Sequence, residues 1–410
     1  MKTTSLSTDT LFFGAFTLFF CMHYAITVPA PHSIIFYGLV VPLALAYLWQ
    51  HKSAGRMLIS HPSWRWVMVF FIYIIVHALV LAGEHEGASK VIRNTIVTAI
   101  FFSVVALQFS VISTQNYQRL MVAVALSAGI CGTISIALYF TDPNAEIRMR
   151  PIGRADAQLL AAFVYIIAAI CAMAALDGMR KKWLSALLIF SLCICVAVVS
   201  LTQSRLALAI LLLCLVIGGG FICRNHRIWL ATFVIGLIVI IAGALSNDIL
   251  MQHVHTMLDR GDSYRLELWG VTIQKIMQSP WQGYGMLAGI DYHMTETYHT
   301  NSPHNIYLTT ALTLGVPGLV ILLMAIGNIL WEMLRQLPWF SHAMIFSGLL
   351  LLDALASGMV DHSRIVKGPS PLWIIFWLPL AVGVGTLIRS HRLHNSEPDA
   401  DEISPAKAEL

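Results

Sequence analysis

The sequence predicts an all-α integral membrane protein with about twelve transmembrane helices and one large loop on the outer side of the membrane. Hydrophobic residues make up 58% of the 410 residues and charged residues only 11%, whereas a soluble domain carries about 25% charged residues. Apolar runs long enough to cross the hydrocarbon core also recur along the whole chain. These two observations exclude a soluble protein with a single membrane anchor.

The predicted spans follow from these apolar runs, because a helix needs about 20 residues to cross the membrane. The first run lacks the small-residue cleavage site of a signal peptide, so we interpret it as a transmembrane helix. The eleventh run is interrupted by Asp353. The predicted spans are 10–28, 33–50, 66–83, 91–112, 119–140, 157–176, 183–202, 205–222, 228–246, 305–334, 340–360 and 371–389.

The distribution of Lys and Arg predicts the orientation of the chain. The short loops at residues 180–182 and 224–227 carry dense positive charge, which is typical of cytoplasmic loops. Both termini are then cytoplasmic. The predicted organisation is transmembrane helices 1–9 in residues 1–245, a large outer loop in 246–304, transmembrane helices 10–12 in 305–390, and a polar, disordered cytoplasmic tail in 391–410.

Several arginines fall on the outer side, where this topology disfavours positive charge. Solvent or a lipid phosphate would explain a single one, but a group on one face is better explained by an anionic ligand. Arginine suits phosphate because its planar guanidinium makes paired, charge-assisted hydrogen bonds. The outer arginines are Arg148, Arg150 and Arg154 after span 5, Arg205 at the start of span 8, Arg260 and Arg265 in the large loop, and Arg364 before span 12.

The large outer loop has the pattern of an ordered segment. Asp262 and Ser263 form a predicted N-cap, and an apolar stripe at helical spacing ends at Pro280, which predicts an amphipathic helix lying over the membrane domain. Gly283-x-Gly285 lacks the strand and helix context of a nucleotide loop, so it does not indicate a nucleotide site. Structured loops of this length are more often functional than not. The stripe consists of Leu266, Trp269, Ile273 and Ile276.

The histidines of this region favour proton transfer over metal binding. His253 and His255 are two residues apart, but no HExxH or similar zinc motif accompanies them, so we expect neither a metal nor a cofactor. His304 lies at the predicted outer end of span 10 beside Asn305, and a histidine there can accept a proton near neutral pH. Residues 361–364 form a second polar group on the same side, for which function and loop structure are equally good explanations.

Four short motifs follow one another on the predicted outer side. They are Thr202-Gln203-Ser204-Arg205-Leu206-Ala207, Ser263-Tyr264-Arg265-Leu266-Glu267-Leu268-Trp269, Ser279-Pro280-Trp281-Gln282-Gly283-Tyr284-Gly285 and Pro303-His304-Asn305-Ile306-Tyr307-Leu308. In order and spacing they resemble the motifs of the O-antigen ligase family. The wider superfamily also contains O-antigen polymerases and bacterial O-oligosaccharyltransferases. Residues 153–158 depart from the family pattern, which often has an asparagine-containing segment there.

The resemblance implies a glycosyltransferase of the bacterial inner membrane with its active site on the periplasmic side. Such a ligase transfers polysaccharide from undecaprenyl diphosphate to the lipid A-core oligosaccharide during lipopolysaccharide biosynthesis. By this interpretation the reaction is inverting and metal-independent, with His304 as general base and Arg265 and Arg205 binding the diphosphate. The further candidates for substrate binding are Arg148, Arg150, Arg154, Asn305, Tyr284, His362 and Arg364.

Other members of the superfamily and other protein classes are the alternatives. O-antigen polymerases often carry two sizeable outer loops, and protein O-oligosaccharyltransferases usually add a soluble C-terminal domain, whereas this sequence predicts one loop and no such domain. A lipid or solute transporter tends to have charged residues in mid-span and internal repeats. Here mid-span charge is nearly limited to Asp353, and the two halves do not resemble each other. A non-catalytic scaffold would leave the outer arginines unexplained.

Overall fold

The computed structural model is a bundle of apolar helices. It describes residues 7–81, 87–144, 146, 148–155, 157–223, 264–286, 288, 290–293, 299–336, 341–360 and 364–395. Eight of the described helices are long and apolar enough to cross a membrane, judged by length and composition. The predicted class, an all-α membrane protein, is therefore confirmed.

The helices follow one another along the chain with short connections. They are α1 Thr8–Ala25, α2 Pro29–Gln50, α3 Lys52–Ser60, α4 Pro62–Val80, α5 Ala88–Val111, α6 Thr114–Thr141, α7 Gln158–Asp177, α8 Lys182–Leu201, α9 Arg205–Cys223, α10 Arg265–Gln278, α11 Ile306–Arg335, α12 His342–Gly358, a π-helical turn Trp373–Trp377, and α13 Leu378–Asn395. Two short strands, β1 Tyr292–His293 and β2 His299–Thr300, pair in antiparallel fashion between α10 and α11.

Each predicted span that falls on described residues coincides with one of these helices. The two shorter apolar helices, α9 and α12, correspond to predicted spans 205–222 and 340–360. Asp353 does not interrupt α12, although its side chain is fully buried. Predicted span 228–246 lies outside the described residues, so the count of twelve spans stays a prediction.

Two helices form the centre of the bundle. In α7 and in the helix Trp373–Leu393, 89% of the most apolar window is buried inside the protein. Both are apolar on all sides, as expected for a helix surrounded by other helices. The helix α7 packs against α6, α8, α9 and α12, while α13 packs against α5, α11 and α12. Arg154 and Arg364 precede these two central helices in the chain.

Helix α11 is broken near its start. Gly315 has φ 73° and ψ 174°, which is not helical, and Pro317 follows it. The part after the break, residues 316–335, is about 20 residues long and is sufficient by itself to span a membrane. The part before the break is then not needed for spanning. It packs instead against α10, where Leu268 and Ile276 join Leu312 in a small separate core.

Candidate functional site

The first motif forms the tight turn between α8 and α9. Gln203 has φ 53°, a left-handed conformation that lets the chain reverse within three residues. Ser204 caps α9 because its Oγ accepts a hydrogen bond from the backbone N–H of Ala207 at 3.4 Å. Arg205 is the exposed first residue of α9. The turn therefore presents Arg205 at the positive end of a helix dipole.

Arg148 is joined to the same turn. Its Nε donates a hydrogen bond to the backbone carbonyl of Thr202 at 2.9 Å. The adjacent Met149 N–H donates to the carbonyl of Leu201 at 3.0 Å. The structure thus joins Arg148 to the turn that carries Arg205, although the two arginines lie far apart in the sequence.

The remaining predicted arginines have other surroundings. Arg154 is only 9% exposed, and its Nη2 lies 3.5 Å from the carbonyl of Pro369 in the segment before the last helix. Arg150 is exposed and forms an ion pair of 3.4 Å with Glu146, so its charge is already partly balanced. Arg364 is also exposed. Two further residues of the sequence prediction, Arg260 and His362, lie outside the described residues.

The structure has a helix, α10, in the segment where one was predicted, but its buried face differs from the predicted apolar stripe. Leu268, Thr272 and Ile276 are buried, whereas Leu266 is 67% exposed and Ile273 48% exposed. The prediction was wrong for Leu266 and Ile273 because it placed only apolar side chains on the buried face. Thr272 lies on the buried face instead. Its hydroxyl donates to the carbonyl of Leu268 at 2.7 Å, so this polar group has a hydrogen-bond partner although it is buried.

The start of α10 also differs from the prediction. The helix begins at Arg265, and Tyr264 before it has φ 60° and provides no side-chain cap. Asp262 and Ser263, the predicted cap residues, lie outside the described residues. The helix ends at Gln278, before Pro280 as predicted. Arg265 therefore occupies the first turn of α10, where the backbone N–H groups point outward.

A small hairpin connects α10 to the segment that carries His304. Tyr292 of β1 pairs with Thr300 of β2. The hydroxyl of Tyr292 lies 3.1 Å from that of Thr272 in α10. Burial raises the pKa of Tyr292, and the bond to Thr272 opposes this effect. The neutral phenol thus anchors the hairpin, and with it Thr300, to the buried face of α10.

His304 is held in a defined conformation directly before α11. It has φ 51°, its N–H donates to Ser302 Oγ at 3.1 Å, and its Nε2 lies 3.3 Å from Thr300 Oγ1. The neighbouring carbonyl of Pro303 accepts a hydrogen bond from Trp269 Nε1 of α10 at 3.0 Å. The second and fourth motifs are therefore in direct contact, and the contact fixes the backbone at His304.

Asn305 is the N-cap of α11. Its Oδ1 accepts hydrogen bonds from the backbone N–H groups of Tyr307 and Leu308, both at 3.0 Å. Such a cap satisfies two of the donors left open at a helix start. The structure gives Asn305 a structural role, and its predicted part in substrate binding stays a prediction.

The third motif docks into the break of α11. The N–H groups of Tyr284 and Gly285 donate to the carbonyls of Leu312 and Thr313, both at 2.9 Å, and the N–H of Val316 donates to the carbonyl of Pro280 at 2.7 Å. These bonds satisfy backbone groups that the break in the helix would otherwise leave open. The Gly-x-Gly stretch thus serves close backbone packing.

Tyr284 links this turn to α10. Its hydroxyl donates to the carbonyl of Lys275 at 3.2 Å and lies 3.2 Å from Gln278 Oε1. The large loop, the broken helix and α10 therefore form one hydrogen-bonded unit. Within the described residues, no three His, Cys, Asp or Glu side chains are grouped as a metal site would require.

We expect Gly283→Ala to lower the melting temperature of the protein. A Cβ at Gly283 would lie 2.6 Å from the backbone nitrogen of Gly315, at a φ of +66°, and backbone strain of this kind costs about 1–3 kcal/mol. Gly270→Ala is the matched control, because Gly270 lies within α10 and a Cβ there would meet nothing within 4 Å. Thermal unfolding of the two purified variants gives the comparison, and equal melting temperatures would contradict the docked turn.

Comparison with known proteins finds relatives of this chain. Residues 188–323 match the family model described as O-antigen ligase. This stretch includes the turn at Arg205, helix α10, His304 and the break in α11. The chain is also 25% identical over 362 residues to the O-antigen ligase of Pseudomonas aeruginosa strain PAO1, which covers 85% of this chain and 83% of that protein. The resemblance to the O-antigen ligase family is confirmed. Similarity to O-antigen ligases thus extends beyond the four motifs to most of the membrane bundle.

Proposed function

We propose that this protein is an O-antigen ligase of the bacterial inner membrane. It transfers polysaccharide from undecaprenyl diphosphate to a sugar of the lipid A-core oligosaccharide on the periplasmic side, with both termini in the cytoplasm. The observation that carries the proposal is the restrained His304, held between Thr300, Ser302 and the Trp269–Pro303 contact inside the stretch that matches the ligase family.

The proposed site lies where several helices begin. Helix α7 begins soon after Arg154, α9 begins at Arg205, and α11 begins just after His304. Helix starts carry partial positive charge, so they add to the field of the arginines. The diphosphate of the donor is a dianion in the headgroup region of the membrane. Arginines and helix starts on one face are suited to hold it there and to neutralise the charge that develops as it leaves.

The proposed reaction is a single displacement at the anomeric carbon of the donor sugar. The hydroxyl oxygen of the acceptor forms the new bond, and the bond between the anomeric carbon and the phosphate oxygen breaks. Undecaprenyl diphosphate leaves with the electron pair, and His304 takes the proton of the acceptor hydroxyl. The configuration inverts because attack and departure occur on opposite faces. The bond that breaks already has a good leaving group, so the step needs neither a nucleotide nor a metal.

We also propose which ring nitrogen of His304 acts as the base. In the proposed arrangement the hydroxyl of Thr300 donates to the carbonyl of Ser302 at 3.2 Å and accepts a hydrogen bond from His304 Nε2, which lies 3.3 Å away. Nε2 then carries the proton of the neutral ring, and Nδ1 carries the lone pair. We therefore assign proton abstraction to Nδ1, with Thr300 fixing the tautomer.

The lipopolysaccharide of a deletion strain tests the proposed function. We expect an intact core without O-antigen, together with accumulation of polymer linked to undecaprenyl diphosphate. Restoration by the gene on a plasmid is the control. A core that still carries one repeat unit would contradict the proposal and indicate a polymerase. Reconstitution of the purified protein with lipid-linked donor and core acceptor gives the direct assay, which should persist in excess chelator.

A further inference from the structure

A cavity of about 520 Å³ lies at the end of the bundle opposite to His304. It is lined by four helix ends, namely the start of α6, the end of α7, the start of α12 and the end of α13. The other end of α6 leads to Arg148, and α7 begins soon after Arg154. The cavity therefore lies on the face that the charge distribution predicts to be cytoplasmic. It is separate from the proposed site of glycan transfer.

One wall of the cavity is suited to a phosphate group. Arg389 of α13 lines it and is held in place by a hydrogen bond from its Nη2 to Thr114 Oγ1 at 3.0 Å. The hydroxyls of Thr386 and Ser390 lie on the same helix and also line the cavity. Helices α6 and α12 begin at the cavity while α7 and α13 end there, so the helix dipoles largely offset one another and Arg389 provides the positive charge of this wall.

The lining of the cavity also includes a carboxylate. Asp177, at the end of α7, lines the same cavity and pairs through Oδ2 with Nδ1 of His342. Its Oδ1 is buried and has no hydrogen-bond partner among the described residues. A ligand with negative charge alone would bring a second anion to this carboxylate. A ligand that carries both a phosphate and an ammonium group would provide a partner for Arg389 and a partner for Asp177.

We propose that this cavity binds the headgroup of a zwitterionic aminophospholipid from the cytoplasmic leaflet, such as phosphatidylethanolamine. The phosphate is bound by Arg389 and the ammonium group by Asp177. The cavity volume lies within the range of about 300–1,000 Å³ that is typical of small-molecule sites. Basic pockets between transmembrane helices on the cytoplasmic side bind the phosphate groups of lipids in other membrane proteins, and Asp177 adds a partner for an ammonium group here.

Native mass spectrometry of the purified full-length protein tests this assignment. Short-chain phosphatidylethanolamine, phosphatidylglycerol and water-soluble glycerophosphoethanolamine are titrated separately. We expect phosphatidylethanolamine to bind most tightly. Arg389→Gln should weaken the binding of both lipids by about tenfold or more, as expected for loss of a charge-assisted contact to phosphate. Asp177→Asn should remove the preference for phosphatidylethanolamine over phosphatidylglycerol.

Arg335→Gln is the matched control, because it removes the same charge at the exposed end of α11, at a position that is not among the described lining residues. It should leave both affinities unchanged. The ratio of the two lipid affinities is taken from titrations of one preparation of each variant, so it does not depend on how much of that variant folds. Equal affinities in the wild type, or a preference that survives Asp177→Asn, would overturn the proposal. Equal binding of the lipid and of free glycerophosphoethanolamine would overturn the assignment to a lipid.

Discussion

Replacing His304 with asparagine is expected to lower the rate of glycan transfer by about 10²–10⁴-fold, the usual contribution of a positioned general base. Asparagine is the most informative substitution, since it tolerates the left-handed conformation of this position better than most residues. The backbone contacts to Ser302 and Trp269 can then persist. The variant removes the basic nitrogen while leaving the fold intact.

A neighbouring histidine provides the control for this experiment. His299 is exposed on strand β2, five residues before His304, and His299→Asn should retain the transfer rate of the wild type. Initial rates are measured with purified protein, lipid-linked donor and core acceptor, and the melting temperature of each variant confirms folding. A rate for His304→Asn within a few-fold of the wild type would exclude His304 as the base.

The effect should fall on turnover more than on donor binding. A base acts only on the acceptor hydroxyl as the new bond forms, so its loss lowers kcat and leaves the KM for the donor nearly unchanged. A mutation that displaced the arginines of the site would instead raise this KM. The two parameters therefore separate proton transfer from diphosphate binding.

The sequence predicted the helical class and the position of the described helices, because apolar runs of the required length leave few alternatives. It did not predict the break at Gly315, since Gly-Val-Pro lies within a continuous apolar run that is compatible with one straight helix. The break becomes understandable only with its partner, the turn at residues 280–285, whose backbone groups bond to the interrupted helix.

Contacts between distant segments were also missed at the candidate site. The motifs singled out Arg205, Arg265 and His304 one by one, but no pattern in the sequence indicated the hydrogen bond between Trp269 and Pro303. A strand pair of two residues each leaves little signal, so the link from Tyr292 to Thr300 was also missed. The orientation of α10 was misjudged because a hydroxyl that bonds to its own helix can replace an apolar side chain on a buried face.

These contacts join the parts of the proposed site to one helix, α10. Helix α10 carries Arg265 at its start, supports Pro303 through Trp269, and is tied by Tyr284 to the turn that fills the break in α11. A shift of α10 would therefore move the candidate phosphate ligand and the candidate base together. Such coupling suits an enzyme that must place a lipid-linked donor and a lipid-linked acceptor in one geometry.

Arg265→Lys is expected to lower the transfer rate by about 10²–10³-fold, the loss typical of removing one preorganised donor to a developing anion. Lysine keeps the positive charge but replaces the planar guanidinium with a single ammonium group, so paired hydrogen bonds to two phosphate oxygens are no longer available. Arg205→Lys should have an effect of similar size, because Arg205 likewise begins a helix. Arg119→Lys is the matched control, since Arg119 is exposed near the start of α6, at the opposite end of that helix from Arg148, and its rate should stay near that of the wild type. Full activity of Arg265→Lys together with an inactive Arg265→Gln would show that charge alone is required at this position, and the paired contact would have to be assigned to another arginine.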